Sequence, residues 1–481
     1  MSSGRVEGDL PVVDAGTAAD EIPDNATLAV SGFGSVGYPK AVPLALASAD
    51  RDLALTVISG GAVGDEIDTE LAGADAIARR YPFATRAEVK ARANDGRTAF
   101  HDRHVSGIGD EVRFGGLPSP DVALVEAVAV GENWLIPSTS IGATPAYVAA
   151  ADRLIVEVND AQPRGLEAFH DVYLPGVPPN REPIDLPTVD GRIGSSRIAF
   201  DADALEAVVR TDRPDATYEF RAPTPADEAI ASNLADFLAA EVERNPALAD
   251  AVALEFGVGS IGNALMGALS DVDVGDRDLV YFGEVIQDGL LDALDEGLLG
   301  ASSGTSLALS ADGQRRLFAD IDRYAEDVVL RPADVSNHPA LIDRFGVVAV
   351  NAAVEVDLYG HVNSTHLHGS ELVGGLGGSN DFARHGLVSV FAMPSTAGDG
   401  EISRIVPMAT HVDHTEHDVD IVVTDRGVAD LRGNAPRESA EALLEVSHPD
   451  FTPDLRAYLE RAGEGDGHIP HDLGTAFDWQ S

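Results

Sequence analysis

Apolar residues in this chain gather into short, mostly apolar runs, most of them closed by Gly, Asp, Asn or a charged residue. Such runs occur at residues 27–31, 122–125, 154–158, 251–256, 279–282, 347–350, 387–391 and 421–424. Their length and Val/Ile content predict strands covered on both faces, as in parallel sheets, rather than half-exposed strands with alternating polarity. Helical spacing fills the gaps. Pro39 opens a helix running to Ala47, and Asp227, Glu228, Ile230, Leu234, Phe237 and Leu238 mark a longer one with an acidic start. Two distant segments repeat one layout of strand, glycine cluster and helix. In the first, Gly32-Phe33-Gly34-Ser35-Val36-Gly37 leads to the helix at Pro39; in the second, Gly257-Val258-Gly259-Ser260-Ile261-Gly262 leads to a helix at 263–269. A repeat this long predicts two related α/β halves rather than a solenoid. The Pro223-Thr224-Pro225 joint places the boundary near residue 222, giving halves at 1–222 and 223–463. The Gly-, Asp- and His-rich end, 464–481, reads as a loosely packed tail.

A length of 481 residues with 44% apolar content suits two or three globular domains. No run is long and unbroken enough to span a bilayer. The first residues lack a signal peptide's basic-then-apolar layout, so the expectation is a soluble cytoplasmic protein. The absence of cysteine excludes disulfides and thiolate chemistry. Eighty acidic residues against 33 basic ones give a net charge of −47, and lysine occurs only as Lys40 and Lys90. That balance argues against a nucleic-acid partner. Spread along the whole chain, it fits a surface adapted to high salt, where a Debye length of about 3 Å suppresses self-repulsion.

Among candidate chemistry, Glu284 follows the strand-like run 279–282 directly and precedes a helix-like segment. Ligands bind beyond the carboxyl ends of strands in open α/β sheets, so Glu284 reads as a nucleophile, base or ligand, or else as an ordinary helix-start carboxylate. Both glycine clusters match G-x-G-x-x-G and raise dinucleotide binding as an alternative. They serve equally well as sources of backbone N–H groups at a ligand site. The histidine and acidic run from His411 through His414, Glu416 and His417 to Asp418 is a candidate metal site, although its spacing matches no familiar one. No G-x-S-x-G elbow supports a serine hydrolase. The polar stretch from Asn337 to Asp381 includes the turn Gly374-Gly375-Leu376-Gly377-Gly378. Together with Glu284 it supplies a carboxylate, an amide donor and backbone N–H groups, parts suited to acyl transfer.

At these residues the chain resembles the class I coenzyme A transferases of the acetyl-CoA hydrolase/transferase family, and within it the succinyl-CoA:acetate CoA-transferases. The resemblance is carried by residues 280–289, Ser336-Asn337-His338-Pro339, 351–366, 374–384, 405–420 and 427–433, and in the first half by Glu157, Asn159, Pro163, Arg164, His170 and Asp171. It implies two tandem α/β CoA-transferase domains with mostly parallel sheets, and a homodimer. Glu284 is similar to the family's nucleophile. Val258 and Gly378 match the positions whose amides form its oxyanion hole, and Asn337 matches a polar residue assisting there. Gly377 and Asp425 are implied as possible substrate-site residues. Coenzyme A would be a substrate, with no resident cofactor and no metal. The substrates implied are an acyl-CoA and a short-chain carboxylate, with acetyl-CoA hydrolysis or 4-hydroxybutyrate, propionate or butyrate transfer as alternatives. Three positions depart from the family's usual residues: Gly283 beside the nucleophile, Asp425 where a glutamate is usual, and Ala62 where a small hydroxyl residue is common.

Overall fold

All eight apolar runs form strands. The computed structural model describes residues 4–219, 221–257, 259–269, 275 and 277–478. By contacts the chain divides into two units: Met1–Glu219 with Tyr281–Leu291 and Ala301–Leu341, and Phe220–Val280 with Asp292–Gly300 and Ile342–Ser481.

The first unit is built on a sheet whose strands run, in order, Val12–Val13, Leu205–Thr211, Arg153–Asn159, Val122–Val130, Thr27–Val30, Leu55–Ser59, Ile77–Tyr81 and Ala99–Phe100. Every neighbouring pair along that path is parallel. Its central strand Val122–Val130 is buried at all nine positions, which is why the run carries no alternation. Trp134–Pro137 returns antiparallel to it. The same unit holds two further parallel pairs, Ala301–Gly304 with Val328–Leu330 and Val285–Ile286 with Ser306–Leu307.

In the second unit Ala251–Phe256, Val348–Ala352, Val388–Ala392 and Ile421–Thr424 lie side by side in parallel, and Gly427–Asp430 turns back antiparallel. The helix Pro225–Arg244 starts on a capping box. Thr224 Oγ1 accepts from the Asp227 amide, and the Asp227 carboxylate accepts from the Thr224 amide, with Pro225 at the first position. Ile230, Leu234 and Leu238 form its buried stripe. The repeated layout is present in both units: Thr27–Val30 precedes the helix Ala41–Ala47, and Ala251–Phe256 precedes Ser260–Leu269.

The first crossing, after Glu219, lies close to residue 222, and by contacts Glu284 is grouped with the first unit. Thr305, Leu307 and Ala333 make backbone hydrogen bonds to residues 139–142, a long-range preference invisible to local composition. Within the described part of the segment expected as a tail, 464–478, a few residues are anchored. The Tyr359 hydroxyl donates to the Pro470 carbonyl at 2.5 Å, and the His471 ring lies edge-on to Tyr359 at 4.9 Å. His471 Nδ1 is 2.9 Å from the Tyr458 hydroxyl, and Ala476 is buried. Polar spacing hid the few residues that anchor this segment. Among the described residues no helix is long and apolar enough to cross a membrane.

Candidate active site

The strand Asp278–Phe282 ends at Gly283, whose N–H donates to the Ser303 carbonyl at 3.0 Å. The chain then bends at Glu284 into the two-residue strand Val285–Ile286. The Glu284 carbonyl is clamped by two backbone donors, Thr305 N–H at 2.6 Å and Ser306 N–H at 3.2 Å. A side chain at Gly304 would meet that carbonyl, its Cβ lying 3.0 Å away, so glycine is what lets the two backbones approach.

Asn337 Nδ2 donates to Glu284 Oε1 at 2.7 Å. Asn337 is fully buried and closes the short helix Ala333–Ser336, its own N–H donating to the Ala333 carbonyl at 2.9 Å. Ser336 Oγ donates to Asn337 Oδ1 at 2.9 Å, so the amide oxygen is engaged and its NH₂ faces the carboxylate. The helix is itself anchored, since the Ala333 N–H donates to the Gly142 carbonyl at 2.9 Å and the Arg331 N–H to the Gly304 carbonyl at 2.8 Å. The buried Arg331 guanidinium pairs with Asp171 and donates to Ser303 Oγ and the Val189 carbonyl. Gln287, three residues beyond Glu284, is fully buried with neither amide atom hydrogen-bonded, and the same holds for the hydroxyls of Ser302 and Ser306. Buried polar atoms of this kind are what a polar ligand group or an ordered water would satisfy.

Asp334, on the same short helix as Ser336, is 7% exposed, and its Oδ2 accepts no hydrogen bond. Burial pushes its carboxyl up to about 6; nearby Asp110 adds to this, while Arg113 and Arg181 oppose it. The ordinary unfolded value is about 3.9. Because the folded value is the higher one, the charge costs nothing below about pH 4, and the cost grows between about pH 4 and pH 6 and persists above. Asp334→Asn is therefore expected to stabilise the chain at pH 8 by on the order of 2 kcal/mol and to be neutral near pH 4. Unfolding midpoints at the two pH values check this, and an equal effect at both would refute it.

Of the residues expected at the site, Glu284 and Asn337 are brought together in the first unit. Val258 lies outside the described residues. Gly377, Gly378 and Asp425 belong to the second unit. Gly377 takes a left-handed φ of +57°, turning the chain into the helix Ser379–His385, with Gly378 at its N-cap. Asp425 is engaged locally, accepting from the Ser395 N–H at 2.6 Å and pairing with Arg426 at 3.0 Å. Of the other departures, Ala62 is buried, and its carbonyl accepts from the Ser35 N–H at 2.9 Å.

The alternatives weighed on sequence meet specific geometry. The N–H groups at the start of the helix after the first glycine cluster, those of Lys40, Ala41 and Val42, all donate to the Glu157 carboxylate at 2.6–2.9 Å. A pyrophosphate would need those donors. The histidines at 411–417 point to separate partners: His411 to Asp413, His414 to Ser379 Oγ and the Phe391 ring, His417 to Glu416. Among the described residues no group of three or more side chains is arranged to hold a metal ion. Sequence reasoning passed over Ser336 and Thr305. The first stands beside Asn337 in Ser336-Asn337-His338-Pro339, and the second lies in Gly304-Thr305-Ser306, a run without a motif of its own.

The chain matches the acetyl-CoA hydrolase/transferase N-terminal domain over residues 11–209 and the C-terminal domain of the same name over residues 313–459. It is 40% identical over 477 residues to the succinyl-CoA:acetate CoA-transferase of Clostridium kluyveri, covering 98% of this chain and 88% of that one. It is 38% identical over 475 residues to an acetyl-CoA hydrolase of Yarrowia lipolytica, covering 93% and 90%. The crystal structure of RipA from Yersinia pestis shares the fold with a TM-score of 0.71 at 22% identity, over 94% of this chain and 97% of that one.

Proposed function

Since the chain belongs to the acetyl-CoA hydrolase/transferase family, we propose that it moves coenzyme A from an acyl-CoA to a free short-chain carboxylate through a covalent intermediate on Glu284. The observation that carries this reading is the 2.7 Å hydrogen bond from a fully buried, pre-oriented Asn337 amide to the Glu284 carboxylate. An acid–base glutamate needs a mobile proton; a nucleophilic carboxylate needs to stay ionised and aimed, and an amide donor serves both ends.

In the proposed sequence a Glu284 carboxylate oxygen attacks the thioester carbonyl carbon, the C–S bond breaks, and CoA leaves as thiolate. The mixed anhydride so formed is attacked by that thiolate at the glutamyl carbonyl. The substrate acid departs as carboxylate and a glutamyl-CoA thioester remains. An incoming carboxylate reverses these steps. The negative oxygen of each tetrahedral stage needs donors, and the amides of Val258 and Gly378 are assigned that role on the family resemblance. Coenzyme A is a substrate, and the scheme uses no metal or nicotinamide. Succinyl-CoA with acetate is the favoured pair, supported by the name of the Clostridium kluyveri relative; a homodimer acting in the cytoplasm completes the reading.

Acetyl-CoA hydrolysis is the second reading, supported by the name of the Yarrowia lipolytica relative. Free thiol and acyl-CoA products, followed in multimolar salt with and without a panel of acceptor acids, separate the two. Transfer predicts acyl exchange only with acceptor present and no steady thiol release. Continuous thiol release without acceptor selects hydrolysis, and neither product from any acid sinks both.

A further inference from the structure

The fully buried strand Val122–Val130 carries a carboxylate, Glu126, at its centre, and the thioester chemistry makes no use of it. Facing it is Lys40, one of two lysines in the chain and itself fully buried. All three ammonium protons are engaged. Nζ donates to Glu126 Oε2 at 2.6 Å, to Asp215 Oδ1 at 2.8 Å and to the Tyr38 carbonyl at 2.8 Å. Glu126 also accepts from Ser138 Oγ at 2.6 Å and Asn159 Nδ2 at 2.9 Å. Asp215 accepts from Thr139 Oγ1 at 2.5 Å, Gln162 Nε2 at 2.9 Å and the Gly37 N–H at 3.2 Å. A third carboxylate, Glu157, holds the backbone of Lys40 itself. A compact ammonium with three donors at its tip satisfies converging acceptors that a planar guanidinium would not.

Both loops tied by this cluster lead to the Glu284 turn. On one side the Thr139 carbonyl accepts from the Leu307 N–H at 2.9 Å, the Ile141 N–H donates to the Thr305 carbonyl at 2.9 Å, and the Gly142 N–H to Thr305 Oγ1 at 2.9 Å. Thr305 and Ser306 then clamp the Glu284 carbonyl. On the other side the loop ending at Gly37 brings in Gly34, where a Cβ would sit 3.0 Å from Ser306 Oγ and 3.6 Å from Val285. We propose that Lys40, with Glu126 and Asp215, is a positioning group for Glu284, tying loops 34–37 and 138–142 together so that Thr305 and Ser306 hold the nucleophile's backbone in place. Without the ammonium, the buried carboxylates repel one another and the two loops lose an anchor that supplements the direct bond from Ser140 Oγ to the Val36 carbonyl at 2.9 Å. Burial drives the Glu126 carboxyl upward and Asp215 adds to this, while Lys40 opposes it. For Lys40 burial lowers the value, but Asp215 and Glu126 outweigh it, so the ammonium stays charged. The proposal rests on the reading of Glu284 as nucleophile.

Thr139→Val tests one of the two side-chain ties between the cluster and loop 138–142, the other being Ser138 Oγ to Glu126, because it removes the hydroxyl that reaches Asp215 at nearly constant volume. The expected result is a kcat lower by roughly 10- to 100-fold with KM for acyl-CoA within about twofold, since small misplacement of a reacting group acts on the chemical step. Thr139→Ser, which restores the hydroxyl, should return most of the rate. Hydrogen exchange read by mass spectrometry should show faster exchange at 303–307 in Thr139→Val, with the strands Thr27–Val30 and Val122–Val130 still protected. The paired change Lys40→Met with Glu126→Gln, which removes one charge of each sign, should give the same exchange pattern and covers the case in which the valine variant does not fold. Wild-type kcat in either folded variant, or unchanged exchange at 303–307, overturns the proposal. The exchange readout needs no turnover, so failure of the positioning role and failure of the Glu284 reading are told apart.

Discussion

Glu284→Gln is expected to lower CoA transfer by at least roughly 10⁴-fold, in the range seen when a covalent nucleophile is removed. Glutamine keeps the length of the side chain and an oxygen able to accept from Asn337 Nδ2, so the 2.7 Å contact and the turn around it have no reason to change. What is lost is the charge. A carboxamide does not displace a thiolate, and neither the anhydride nor the glutamyl thioester forms. Binding of acyl-CoA should therefore stay within a few-fold of the unaltered chain while single-turnover chemistry disappears. The direct check is borohydride trapping with succinyl-CoA, followed by mass analysis of the peptide containing residue 284. The unaltered chain should carry a reduced glutamyl group at that residue and the glutamine variant none. A glutamine variant with full turnover would remove the mechanism altogether.

The second large effect is expected at Asn337. Asn337→Ala should lower kcat by about 10²- to 10³-fold, the usual loss for a single directed donor in a site of this kind. Asn337→Asp is the sharper experiment because it sets a second carboxylate where the amide now donates. Two carboxylates at hydrogen-bonding distance do not both ionise easily, so the pair holds a shared proton to higher pH than either acid alone. The protonated form is not nucleophilic. Activity of the aspartate variant should thus be most depressed at acidic and neutral pH and recover as pH rises, with the acid limb of kcat displaced upward by a unit or more. An unshifted limb would mean that Asn337 does not act on the ionisation of Glu284. Ser336→Ala, which frees the Asn337 amide to rotate, should give a smaller loss with the limb in place, because only orientation is affected.

The eight apolar runs identified the sheets because a strand buried on both faces leaves a local trace, an unbroken stretch of β-branched and aliphatic residues. The capping box at Thr224 and Asp227 fixed a helix start for the same reason: its partners are three residues apart. Glu284 and Asn337 were legible as candidates through their motifs, yet only folding joins them across 53 positions. Lys40, Glu126 and Asp215 left no trace at all. In so acidic a chain another Glu or Asp is unremarkable by composition, and the strand 122–130 looks like core despite the charge at its middle. Their engagement depends on residues 86 positions apart in one case and 178 in the other. The same limit explains why 281–291 and 301–341 group with the first half, and why residues 470 and 471 are held by Tyr359 and Tyr458. Sequence by itself determined the element types, the paired halves, the family and the candidate residues of the proposed site, because those rest on short-range pattern. The tertiary structure decided which body carries Glu284, what aims it and what holds its backbone, because burial, charge pairing and hydrogen-bond partners are set by contacts between segments distant along the chain.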